Sequence, residues 1–170
     1  GINLAKTRYV LISNPDVIYE NDFFSNLKTY IDRNTDFSII GPIYRSEDYA
    51  SHGFFKDLKK ENSNNDTAVN QNLIKTHWIV GCTMFIDLNK FDNKNLFDEN
   101  FFLFFEEFDL CRRVLNKGGK IFVSKNLYVK HLGHKGSVAV DPKYEKESVF
   151  LRSWHWMWSS FYYYEKNFSY

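Results

Sequence analysis

FDENFFLFFEEFDLCRRVLNKGGKIF, residues 97–122, decides how the chain is read. The large apolar run Phe101 to Phe105 leads straight into Glu106, Glu107 and Asp109, and Arg112 and Arg113 follow. The periodicity predicts a helix from about Glu106 to Asn116, stopped by Gly118-Gly119 as a C-cap. On that helix Glu106 and Asp109 share a face, Glu107 points about a quarter-turn away, and Asp109 reaches Arg113 four residues on. Acids in a first turn answer the helix dipole, which accounts for one or two of them. It explains less well why they stand directly behind an aromatic block. Apolar walls raise a carboxylate's pKa towards the range of a general base. Both readings stand at this point.

Working outward, Arg8 to Ser13 reads as a short buried strand closed by the turn former Asn14-Pro15. Asn21 or Asp22 can cap a helix through about Asn34, with Phe23, Phe24, Leu27, Tyr30 and Ile31 at helical spacing. Phe37 to Ile40 reads as a second strand, ended by Gly41-Pro42. Strand, helix, strand in that order predicts a βαβ unit and a largely parallel sheet. Arg45 to Asp66 is polar and reads as a long loop, either a lid or a plain surface excursion. Asn72 to Leu88 reads as two extended pieces hinged at Gly81. Ile121–Ser124 and Leu127–Lys130 read as short strands. Asp141-Pro142 starts a final helix rich in Trp and Tyr.

The totals bound the function classes. At 170 residues the chain suits one core, and 44% apolar with 25% charged residues is ordinary for a globular protein. Aromatics reach 19%, which suits a packed core, a sugar-binding surface or a membrane interface. With 22 basic against 21 acidic residues, a basic nucleic-acid-binding surface is not indicated. Cys82 and Cys111 lack metal-ligand spacing, and a reduced intracellular compartment is the simpler reading. No apolar run reaches the ~18 residues of a membrane span. The N-terminus lacks an initiator Met and a signal-like apolar core, which reads as a fragment.

Three further places could carry chemistry. Asp16 follows the first strand, where ligands gather in open α/β sheets, and a carboxylate there can hold Mg²⁺ or Mn²⁺. Asn-Pro-Asp is equally a common turn. His131 follows a strand and opens a His-Leu-Gly-His-Lys-Gly-Ser loop, where imidazole can complete a metal site or touch phosphate; a histidine bonded inside its own loop is the bland reading. The terminal helix, carrying Trp154, Trp156 and Trp158, can dock on its own domain, lie on a membrane surface beside Lys143, Lys146, Arg152 and Lys166, or stack on sugar. His155, among those tryptophans, reads as packing.

Asn14-Pro15-Asp16 after a strand, then GCTMFID, then the central block, then the His-Gly-Ser loop together resemble glycosyltransferase family 2, in its rhamnosyltransferase-like branch. The resemblance covers residues 1–140 and implies an α/β chain with a partial GT-A fold, the fold of nucleotide-diphospho-sugar transferases. That fold is a mixed, mostly parallel sheet flanked by helices, here with an aromatic C-terminal helix. Residues 1–140 would be the C-terminal part of the catalytic domain, its donor-binding N-terminal half absent; 141–170 would be the helix packed on it or on a membrane surface. The resemblance implies inverting transfer of a sugar from a nucleotide-sugar donor to a hydroxyl of a glycan or lipid-linked acceptor in surface-polysaccharide synthesis. A cytoplasmic place is expected, at the inner face of the membrane where the terminal helix takes its peripheral-contact reading and not its docked one. It implies that Asp16, with His131, holds a divalent cation at the donor diphosphate. Glu106 and Glu107 match the family's acidic pair, Glu107 as base, and Trp78, Gly81 and Cys82 match the acceptor side. Glu107 stands where the family usually has Asp, so Glu106 or Asp109 could share its role. The rival readings are a non-catalytic carbohydrate-binding fragment and a metal-dependent hydrolase, the latter lacking any HExxH-like spacing.

Overall fold

The computed structural model describes residues 2–44, 72–92, 96–132 and 142–168. The polar stretch 45–66 and the loop that begins at Gly133 lie outside them, as does Asp141. The described elements are β1 (Tyr9–Ser13), β2 (Val17–Tyr19), α1 (Phe23–Asp32), β3 (Ile39–Tyr44), β4 (Leu73–Lys75) and β5 (Thr83–Asp87). After these come α2 (Glu106–Asn116), β6 (Ile121–His131) and α3 (Glu145–Phe168).

The strands form one sheet in the order β1-β5-β3-β6-β2, with β4 also on β6. Among the described residues only β3 and β6 pair in parallel; the β1–β5, β3–β5, β4–β6 and β2–β6 pairs are antiparallel. The expected mostly parallel sheet is therefore corrected to a mixed, mainly antiparallel one. The cause is β5, which inserts between β1 and β3 and runs against both. β1 and β3 do run in the same direction, but they are not neighbours, and β2, which runs against β6, comes between β1 and α1. The two short strands expected after Gly119 are one long strand, β6. One of its edges carries β3; the other carries β4 at Phe122–Ser124 and β2 at Val129–His131.

Period-two alternation buries both faces of the sheet. Val10, Ile12, Ile39, Met84, Ile86 and Ile121 point to the α2 side, where Leu110, Cys111 and Val114 complete one core cluster. Tyr9, Leu11, Ile40, Phe85, Leu127 and Val129 point to the α1 side, against Phe23, Leu27 and Tyr30. Burial of this apolar surface drives the assembly. Deep in the second cluster, Tyr30 and Ser124 share a hydrogen bond of 2.7 Å.

Gly41-Pro42 does not end β3, contrary to expectation. The register with β6 shifts between Gly41 and Ile43, so the proline sits where the ladder is already irregular and its missing N–H costs little. Gly41 also passes too close to Ile79 for any side chain to fit. The C-cap of α2 is as expected: Gly118 adopts φ 76°, and the Gly119 N–H donates to the Val114 carbonyl at 2.9 Å.

Candidate functional site

The α2 sequence explains its own polarity. Glu107, Leu110, Cys111 and Val114 recur at i, i+3, i+4 and i+7, so Glu107 opens the stripe that faces the sheet. Leu110 and Cys111 are fully buried, and Glu107, half-buried, stands at the open end of the same stripe. Its neighbour across the gap is Gly81, in the turn before β5. A Cβ on Gly81 would lie 3.4 Å from the Glu107 Cβ. Desolvation, reinforced by the adjacent Glu106 charge, pushes the Glu107 carboxyl up to about 7, against hydrogen bonds from its own N–H and that of Gly81. Glu106 is raised as well, by desolvation. One oxygen of each carboxylate, Glu106 Oε2 and Glu107 Oε2, is shielded from solvent and without a hydrogen-bond partner.

Asp16 arrives from the other direction. It lies between β1 and β2, and the turn is tied to β5 by Asn14, whose N–H donates to the Cys82 carbonyl at 2.9 Å. Antiparallel pairing sets Val17 opposite His131, and the Leu132 N–H donates to the Asp16 carbonyl at 2.9 Å. The Asp16 side chain, 10% exposed, then meets His131 Nε2 at 3.2 Å from its Oδ1. The two sides converge on Cys82. Burial pushes its thiol up to about 11, hydrogen bonds with Tyr44 and Thr83 oppose the rise, and the charges of both Asp16 and Glu107 add to it. Cys82 stands near both sides: its carbonyl takes the Asn14 N–H, and it follows Gly81, which packs against Glu107.

Asp109 behaves differently from its neighbours. It is 0% exposed; Arg113 Nε approaches its Oδ2 at 2.7 Å and Lys166 Nζ its Oδ1 at 2.7 Å. The expectation that it could share the base's role is not met by this geometry, because a proton acceptor must be reachable by substrate. Asp109 instead fastens α3 to α2. Lys166 also meets Asp98 Oδ2 at 2.7 Å, and Tyr162 donates to the same oxygen at 3.0 Å. Trp78 stacks on Phe108 with centroids 4.8 Å apart, and Phe108 continues to Phe105 and Tyr163, so Trp78 joins an aromatic wall beside Glu107.

The approach to the acidic pair is strained. Phe104 and Phe105 adopt φ 70° and 66°, the left-handed region that bulky side chains avoid. Trp156 of α3 packs on both rings, and Arg152 lies over Phe104. These contacts offset a cost of roughly 1–3 kcal/mol per residue. Tyr44 was missed by the sequence reading because β3 was ended at Ile40. Its hydroxyl donates to the Val80 carbonyl at 2.8 Å, holding the turn that presents Gly81 to Glu107.

Asp16 and His131 offer one oxygen and one nitrogen. That fits two positions around a divalent ion whose remaining positions belong to phosphate and water. Among the described residues no group of three or more His, Cys, Asp or Glu converges.

No protein-family model matches the chain, and no solved structure matches it. A curated relative, rhamnosyltransferase WbbL of Escherichia coli (strain K12), is 22% identical over 173 aligned positions, covering 89% of this chain and 59% of the relative. The chain therefore spans less than two thirds of that relative's length. The mixed α/β architecture is compatible with part of a transferase fold, and the similarity supports a glycosyltransferase relationship for the chain.

Proposed function

We propose that the chain carries the acceptor-activating part of an inverting glycosyltransferase of family 2, using a nucleotide-sugar donor and a glycan or lipid-linked hydroxyl acceptor. The observation that carries this reading is the half-buried Glu107 carboxylate, raised to about 7 and with a shielded, unpartnered oxygen, packed against Gly81 in the turn whose Cys82 carbonyl takes the N–H of Asn14, two residues from Asp16. A base poised near neutrality can take a proton from an alcohol as that oxygen becomes a nucleophile. In one displacement the acceptor oxygen bonds to the anomeric carbon from the face opposite the leaving group. The bond from that carbon to the diphosphate oxygen breaks, and the nucleoside diphosphate leaves with the electron pair. Glu107 keeps the proton until solvent takes it. Asp16 and His131 would hold a divalent cation, which supplies charge neutralisation to the diphosphate when bound. Gly81 gives its N–H to the base, and the Trp78–Phe108 wall excludes water from it.

The test is nucleoside-diphosphate release by the full-length protein with Mn²⁺ and a nucleotide-sugar, for wild type, Glu107→Ala and Asp16→Ala. Loss of most turnover in both variants supports the assignment; retention in both defeats it. Undiminished glycan binding by Asp16→Ala in chelator, with no turnover in wild type, would favour a carbohydrate-binding role.

A further inference from the structure

Helix α3 turns an apolar face away from the protein. A helix on a water-facing surface turns its apolar stripe to the protein and its polar side outward. Here the protein-facing positions mix aromatic side chains, Trp156 and Tyr163 packed on Phe104, Phe105 and Phe108, with polar and charged ones bonded to the body. Arg152 lies over Phe104, His155 packs on Phe102, Ser159 donates to the Leu103 carbonyl at 2.7 Å, and Tyr162 and Lys166 hold Asp98. The outward positions are apolar: Phe150, Trp154, Met157, Phe161, Tyr164 and Phe168 are each between 48% and 70% exposed. Val149, Leu151 and Trp158 widen that stripe, also exposed. At ~100° per residue the exposed apolar positions span more than half of the circumference. Between Glu147 and Glu165 the outward face carries no Asp, Glu, Lys, Arg or His, since Arg152 and His155 both turn inward.

We infer that this face lies in the plane of a lipid surface, at the boundary of headgroups and acyl chains. Three features favour lipid over a second copy of the chain. The face is broader than the a/d seam that a partner helix covers, and it lacks the charged flanks that set register between helices. Its Trp and Tyr content is that of a membrane boundary, where a ring buries its body and keeps its polar tip wet. Charged residues stand at its ends, Lys143, Glu145, Lys146 and Glu147 before it and Glu165 after, where they reach water. Among the described residues no helix is long and apolar enough to cross a membrane, so α3 lies along the surface. Because Lys166 ties α3 to Asp109 of α2, lipid contact fixes the position of the Glu107 site relative to the membrane. The inference stands whether or not Glu107 is a base.

The test uses the full-length protein with sonicated phosphatidylcholine vesicles, alone and with about one third phosphatidylglycerol, read by flotation and by tryptophan quenching with brominated acyl chains. Three of the four tryptophans, Trp154, Trp156 and Trp158, lie on α3. Wild type should float with both compositions and be quenched. The double substitution Phe150→Ser and Phe161→Ser should cut partitioning roughly tenfold or more, with far-UV circular dichroism unchanged. Glu107→Gln should bind as wild type does, so failure of the base leaves this result intact. Absence of flotation and quenching in wild type overturns the inference. A lipid-free dimer, seen in sedimentation velocity and dissolved by the same two substitutions, overturns it in favour of a second copy. Binding that requires anionic lipid and ignores both substitutions also overturns it.

Discussion

Glu107 and Asp109 stand two residues apart on one helix and have met opposite fates. Asp109 is the more deeply buried, yet each of its oxygens faces a cation, Arg113 on one side and Lys166 on the other. Glu107 is less buried, and the charge that acts on it is another carboxylate, Glu106; each residue has a shielded oxygen without a hydrogen bond, but only that of Asp109 has a cation beside it, Lys166 at 2.7 Å. Burial alone therefore does not single out a reactive group. A buried charge with partners is part of the frame, whereas one left without them holds free energy that a substrate can release. The helical repeat assigns the fates: Glu107 heads the stripe facing the sheet, while Asp109 turns aside towards α3.

Substitutions can break this contrast. The largest effect expected is on turnover. Glu107→Ala should lower kcat by about 10²–10⁴-fold in the nucleoside-diphosphate release assay, the range of a lost general base, while leaving the urea midpoint at or above that of wild type. Asp109→Ala should do the reverse, lowering stability by about 3 kcal/mol in urea unfolding because Lys166 and Arg113 lose their common partner. Equal effects of the two changes on both measurements would erase the distinction.

The pH dependence sharpens it. Glu107 has a folded pKa of about 7, above the ordinary 4.5 of the unfolded chain, so the native state binds the extra proton between those values. Its contribution is fully favourable below about pH 4.5 and is lost as pH rises through 7. Glu107→Gln should therefore match wild type in stability near pH 4 and exceed it by on the order of 2–3 kcal/mol at pH 8. Urea titrations at the two pH values check the sign. The smallest effect belongs to Gly81→Ala. The added methyl meets the Glu107 side chain at ordinary contact distance. Stability should change by less than about 1 kcal/mol, while the alkaline-going limb of the pH–rate profile moves to higher pH as the carboxyl loses more solvent.

The sequence disclosed what is local. The limits of α2 and its left-handed glycine cap follow from side chains within a few positions of one another, as does the Asp109–Arg113 pair. Long-range pairing was not legible. Nothing in residues 8–40 announces that β5 will come between β1 and β3, and this reversed the expected strand directions. Gly41-Pro42 read as a stop because proline lacks a donor; the irregular register that accommodates it arises from β6, far along the chain. The residues put forward for the site were legible as types, Asp16 after a strand and the glutamates after an aromatic block. What was hidden was the closure of Asp109 by Lys166, a residue on another element.

The left-handed pair Phe104-Phe105 has a temporal consequence. The rings that hold this bend in place come largely from Trp156, which a ribosome adds well after Glu107 has left the exit tunnel. A nascent chain at that stage has its glutamates but not the clamp that aims them. The bend cannot be clamped by Trp156 until that part of the aromatic helix has been made.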